Sequence, residues 1–184
     1  MSSLSRRRAL ELLASATLLG CGNESGASVP ACGTDARGNG LRYCLVAKKE
    51  ITIPGLLQLG VGEVALMSID DNSAAIVARD ELGFYALSGT CPHACCTVTI
   101  CGGEECTAPV PSPTDCAPAI TAPLSRSGSA FLCPCHGSQF AADGSVLAGP
   151  ATTSLPSISL RISGRDVVVD LSTPVSPSQR VPAV

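Results

Sequence analysis

Both histidines of this 184-residue chain sit in short cysteine-rich runs. Residues 91–96 read CPHACC, and residues 133–138 read CPCHGS. Each run offers a thiol and an imidazole at ligand spacing: Cys91 with His93, and Cys133 with His136. Soft sulfur and borderline nitrogen donors in one set suit zinc or iron, so a metal site is the first expectation. The first run also holds Cys95 and Cys96 and the second Cys135, so each has a further cysteine that could be left over for a disulfide. A zinc or pure-disulfide binding module is the plainer alternative.

The order Cys-x-His, a long connection, then Cys-x-x-His resembles the Rieske family, in which one iron of a [2Fe–2S] cluster takes two cysteines and the other two histidines. The matching residues are Cys91, His93, Cys133 and His136, which implies one cluster per chain. The quinol-oxidising branch of that family carries two more cysteines, one five residues after the first ligand and one between the second Cys and His. Cys96 and Cys135 stand at those places, so the resemblance implies a Cys96–Cys135 disulfide clamping the two loops. Soluble Rieske ferredoxins and ring-hydroxylating oxygenases usually lack the pair. Imidazole ligands make the cluster less negative than four thiolates would. Its potential then lies at about −150 to +300 mV, against about −400 mV for plant-type ferredoxins. The outer imidazole nitrogens can exchange protons with the redox state, which suits a quinol donor.

Three further positions carry the resemblance. Ser138 stands where family members donate a hydrogen bond to a bridging sulfide. Phe140 stands where high-potential members place a tyrosine hydroxyl on a ligand sulfur, and phenylalanine cannot donate. A potential below that of tyrosine-bearing members is expected, as in menaquinone-type chains; the plain reading of Phe140 is a core aromatic. Residues 149–156 read GPATTSLP, and Gly149-Pro150-Ala151 matches the loop that covers the cluster's far side in the family.

The first 21 residues resemble a twin-arginine signal, with Ser5-Arg6-Arg7 and Leu10, and Leu18-Leu19-Gly20-Cys21 resembles a lipobox. Lipidation at Cys21, ordinary cleavage and an uncleaved anchor are all open, and each attaches or delivers the protein to the outer face of a membrane through its N-terminus. The apolar part of the leader is shorter than the roughly 20 residues of a normal span. The expected location is the periplasmic face of a bacterial-type cytoplasmic membrane. The chain has 11 cysteines. Setting aside Cys21, two ligands and the clamp leaves an even remainder, which in an oxidising compartment implies three more disulfides. Cys32–Cys44 is the simplest pair, and Cys95, Cys101, Cys106 and Cys116 would pair among themselves.

The elements that must hold these runs are strands. Residues 62–70, 74–80 and 83–89 are short apolar runs broken by turn residues, and 157–163 with 166–171 flank a Gly164-Arg165 hairpin turn. The fold class is therefore all-β. The resemblance implies a Rieske-type antiparallel sandwich or barrel base with a small cluster-binding subdomain. The expected division is a leader to residue 21, a tether over 22–49, the Rieske domain over 50–171 and a flexible Pro/Ser-rich tail over 172–184. Within the domain, the cluster subdomain spans 91–140, with a cysteine-rich insert over 97–130 that departs from many family members.

Net charge is −3, which disfavours nucleic acid as a partner and is compatible with a basic cytochrome. No nucleophilic triad, phosphate loop or paired-carboxylate site stands out, so the chain reads as a redox subunit rather than a complete enzyme. The leading expectation is the iron–sulfur subunit of a quinol–cytochrome c reductase-like complex. Its donor would be a quinol or an upstream redox subunit, its acceptor a c-type cytochrome, and a b-type cytochrome its companion. A stand-alone lipid-tethered carrier, or the small subunit of a periplasmic oxidoreductase of the arsenite-oxidase type, is the rival.

Overall fold

Apolar runs separated by Asp, Asn and Gly turns build a structure whose regular elements are almost all antiparallel strands. The computed structural model describes residues 41–47, 49–102, 105–106 and 117–183. In chain order the strands are Cys44–Ala47 (β1), Glu50–Pro54 (β2), Glu63–Asp70 (β3), Ser73–Asp80 (β4), Gly83–Ser88 (β5), Thr99–Gly102 (β6) and Glu105–Cys106 (β7). Ile120–Pro123 (β8), Phe131–Leu132 (β9), Gln139–Phe140 (β10), Val146–Ala148 (β11), Ser157–Ser163 (β12) and Asp166–Pro174 (β13) follow. Eight of them form a curled base sheet in the order β1-β2-β13-β12-β5-β4-β3-β8, and five form a smaller sheet in the order β11-β10-β9-β6-β7. Among the described residues the only helical element is a 3-10 turn at Leu56–Gln58. The all-β class and its two-part plan are as expected.

The central strands β3, β4 and β5 are apolar on both faces. Ala65, Met67, Val77, Phe84 and Ala86 enter the core of the base. Their neighbours Val64, Leu66, Ile76, Tyr85 and Leu87 enter a second core, shared with the small sheet. The register places Leu66 opposite Ile76 and Ile76 opposite Leu87, so one row of large side chains faces the small sheet. A strand buried on both faces reads as a continuous apolar run, which is why these three are evident in the sequence. Each fully buried Leu or Ile stabilises the wall by about 1.5–3 kcal/mol. The 157–163 and 166–171 hairpin forms across Gly164, with β13 running on to Pro174.

Three boundaries differ from those expected. The base begins well before residue 50: Tyr43 is fully buried, its N–H donates to the Ala117 carbonyl at 3.0 Å, and its hydroxyl donates to the Ser68 carbonyl. The 97–130 insert is not only an excursion between the loops. Its β8 extends the base sheet by pairing with β3, with Leu66 opposite Ile120 and Glu63 opposite Pro123, an edge position where proline is tolerated. The segment expected as a loose tail is held against the base. Val181 and Phe84 exchange backbone hydrogen bonds of 2.8 Å in both directions, because paired N–H and C=O groups outweigh the segment's polar composition. The leader, Cys21 and residues 22–40 lie outside the described residues.

Tyr43 and Tyr85 are the chain's two tyrosines, and burial pushes both phenols up to about 12. The folded value exceeds the unfolded value near 10. The stability it represents is therefore complete below pH 10 and is lost as pH rises towards 12. Ring-labelled tyrosine NMR should show both phenols neutral at pH 10 in the folded protein, with the melting temperature falling above that pH. A half-ionised signal at pH 10 from folded protein would contradict the burial of one of them.

Candidate metal centre

Two loops of the same build stand side by side, joined by a disulfide and by contact between their imidazoles. The first leaves β5, turns through residues 91–96 and is closed at its foot by a bridge between Thr90 and Thr97. The second, residues 133–138, is the loop of the β9–β10 hairpin, with Leu132 opposite Gln139 and Phe131 opposite Phe140. In the first, Cys91 N–H donates to the Cys96 carbonyl at 2.8 Å and Cys95 N–H to the Cys91 carbonyl at 2.9 Å. In the second, Cys133 N–H donates to the Ser138 carbonyl at 2.8 Å and Gly137 N–H to the Cys133 carbonyl at 2.9 Å. The fifth residue is left-handed in both, Cys95 at φ 57° and Gly137 at φ 76°. Proline follows the first cysteine in each, where a fixed φ starts a tight turn.

This repeated geometry sorts the donors. Cys91 and Cys133 are fully buried in the second core with Phe140, whereas His93 and His136 are exposed. The two imidazoles meet edge to face, with ring centroids 4.8 Å apart and planes at 88°. The Cys133 thiol is pushed up, first by burial and then by its hydrogen bond with Cys91. The backbone N–H groups of Cys135 and His136 oppose this by favouring the thiolate. The structure thus pairs the sequence-predicted donors like with like, thiol beside thiol inward and imidazole beside imidazole outward.

The Cys96–Cys135 disulfide implied by the resemblance is formed and joins the sixth residue of one loop to the third of the other. The sulfurs of Cys96, Cys133 and Cys135 lie within 4.8 Å of one another, but two of them are committed to that bond. Ser138 is fully buried, and its Oγ accepts the Ala151 N–H at 2.9 Å. That bond ties the Gly149-Pro150-Ala151 loop, whose Gly149–Pro150 peptide is cis, to the second ligand loop. Residues 91–96, 133–138 and 147–152 contain no Asp, Glu, Lys or Arg, and Leu147 is half exposed beside them.

Of the remaining cysteines, one departs from the expected even pairing: Cys95. Cys101 bonds Cys106 across the β6–β7 register, which satisfies both. Cys95, the fifth residue of the first loop, is a free, exposed thiol, and Cys101 and Cys106 are already bonded to each other. Cys44 is disulfide-bonded. The Cys32–Cys44 pairing and any bond of Cys116 involve positions outside the described residues. Sequence reasoning missed the left-handed fifth position shared by the loops; the aligned Cys-Pro starts were its only signal.

Paired loops on a curled β base, with two buried thiols and two exposed imidazoles, are the arrangement that a Rieske-type iron–sulfur centre requires. The Rieske [2Fe-2S] domain family model matches residues 49–159, and the chain belongs to this family. It is 30% identical over 97 residues to the cytochrome b6-f complex iron-sulfur subunit of Synechococcus sp. (strain JA-3-3Ab), covering 53% of this chain and 42% of that protein. It is 28% identical over 136 residues to the corresponding subunit of Synechococcus elongatus, covering 73% of this chain and 58% of the relative. The chain thus spans about half the length of these relatives. Among solved structures, the plasma membrane Rieske protein PetC3 from Synechocystis PCC 6803 is 26% identical with a TM-score of 0.35, covering 59% of this chain and 86% of that one.

Proposed function

We propose that Cys91 and Cys133 hold one iron of the [2Fe–2S] cluster and His93 and His136 the other. In this reading the exported protein passes single electrons from a quinol to a c-type cytochrome, as the iron–sulfur subunit of a quinol–cytochrome c reductase-like chain with a b-type cytochrome. The observation that carries it is the split exposure of the donors, with Cys91 and Cys133 sealed in the second core and His93 and His136 open to a partner. The residues fit the group: two sulfur and two nitrogen donors are the Rieske set. When bound, the cluster supplies a one-electron store at a potential raised by its imidazole ligands.

The chain's own residues do the rest. The outer nitrogen of an exposed imidazole accepts a hydrogen bond from a donor hydroxyl and can hold its proton. The Cys96–Cys135 bond fixes the spacing of the loops. Phe140 and Ala151 keep water from the thiols. Reduced, matured protein should give a Rieske-type EPR signal, and isolation from its native membrane should bring down a b-type haem. A Rieske signal accompanied by a molybdenum subunit and no b-type haem would replace the reductase reading with an oxidoreductase one.

Phe140 is fully buried in the core that holds both thiols. Phe140→Tyr introduces one donor there, worth about 1 kcal/mol, or roughly 40 mV for a one-electron couple. Redox titration should show that rise; no upward shift would mean that the new hydroxyl does not reach a ligand sulfur.

A further inference from the structure

The C-terminal segment that follows β13 reaches the base–subdomain junction through one side chain. Gly83 allows the close approach. It sits at φ 136°, and a Cβ there would lie 2.3 Å from the Val181 carbonyl oxygen. Next to this contact, the Arg180 side chain is only 16% exposed. Its Nε donates to Asp80 Oδ2 at 2.6 Å, and its Nη1 donates to the carbonyls of Pro177 at 2.9 Å and Gln179 at 2.8 Å. With these partners fixed, its guanidinium carbon lies 4.1 Å from the centre of the Tyr85 ring. Tyr85 belongs to the second core, and its hydroxyl donates to the Ala142 carbonyl at 2.9 Å. Ala142 lies in the turn between β10 and β11, two residues beyond Phe140 and four beyond Ser138.

We propose that Arg180 is a positioning residue for the cluster, acting through Tyr85 on the turn that continues the second ligand loop. The two residues line a cleft of about 390 Å³ whose wall also includes Arg126, Ala142 and Asp143. Arg180 covers the Tyr85 face on that side. Without it, water in the cleft competes for the Ala142 carbonyl, and the β10–β11 turn loses its fixed distance from the base. A planar guanidinium is needed, since an ammonium can pair with Asp80 but does not stack on the ring in the same way.

The test uses the holoprotein with Arg180→Ala, Tyr85→Phe and the double variant. Three quantities are read: hydrogen exchange at residues 139–148, the rate of cluster loss to a mild chelator, and the width of the reduced EPR signal. Each single variant should speed exchange and cluster loss by up to about tenfold, the effect of one hydrogen bond, and broaden the EPR signal. The double variant should be no worse than the stronger single, because both act on one path. Wild-type exchange and cluster loss in Arg180→Ala, or single effects that multiply in the double variant, would overturn the proposal. Arg180→Lys covers the case in which the alanine variant does not fold: it should behave like the alanine variant at the cluster, and wild-type behaviour would overturn the role of stacking.

Discussion

Removing the clamp with Cys96→Ser/Cys135→Ser should lower the melting temperature of the apoprotein by roughly 10 °C and leave the loaded protein much less affected. The bond closes a loop of 39 residues, for which chain entropy gives about 4 kcal/mol. For a domain of this size each kcal/mol shifts the midpoint by about 3 °C. In the loaded protein the proposed ligands already join residues 91–93 to 133–136, so nearly the same loop is closed twice. The second closure then adds little. The disulfide's contribution falls mainly on the empty site, where it holds the loops ready to be loaded. Thermal unfolding of both forms followed by circular dichroism measures this, and cluster content on maturation should fall in parallel. An equal loss in both forms would show that the two cross-links are independent. The double replacement avoids leaving a new thiol beside free Cys95.

Ser138→Ala should lower both the potential and the stability. A serine hydroxyl has one proton to give and two lone pairs. One lone pair takes the Ala151 N–H, so the proton remains available to an acceptor on the ligand side. Loss of the hydroxyl leaves the N–H of buried Ala151 unpaired, at about 1–3 kcal/mol. Loss of a hydrogen bond to a charged acceptor, about 1.5 kcal/mol, lowers a one-electron potential by roughly 60 mV. Ser138→Thr keeps the hydroxyl and should retain most of the potential. A lowered melting point with an unchanged potential would confine Ser138 to tying down the Gly149-Pro150 loop.

The contrast between what the sequence reveals and what it hides follows from how each part is held. β3, β4 and β5 are legible because burial on both faces makes them long apolar runs. The donor residues are legible because histidine occurs nowhere else in the chain. The edge strand β8 and the segment around Val181 are held by pairing with distant partners, Glu63–Leu66 and Phe84. β8 is only four residues long and ends in proline, and the segment around Val181 is rich in proline and serine, so neither stands out as a strand on its own. Cys95 was misassigned for another reason. Parity counts thiols but knows nothing of direction, and the loop leaves this one exposed to solvent while Cys101 and Cys106 bond each other.

The loops around the imidazoles carry no ionisable side chain other than the two histidines and the cysteines. These loops therefore add no fixed charge of their own to steer an encounter at the imidazoles, and any steering comes from the net negative charge of the rest of the chain. An encounter without steering has a rate constant of about 10⁵–10⁶ M⁻¹s⁻¹ that varies little with salt. Turnover faster than such collisions allow requires a high local concentration of the donor, which a tether to the donor's membrane provides and free diffusion does not.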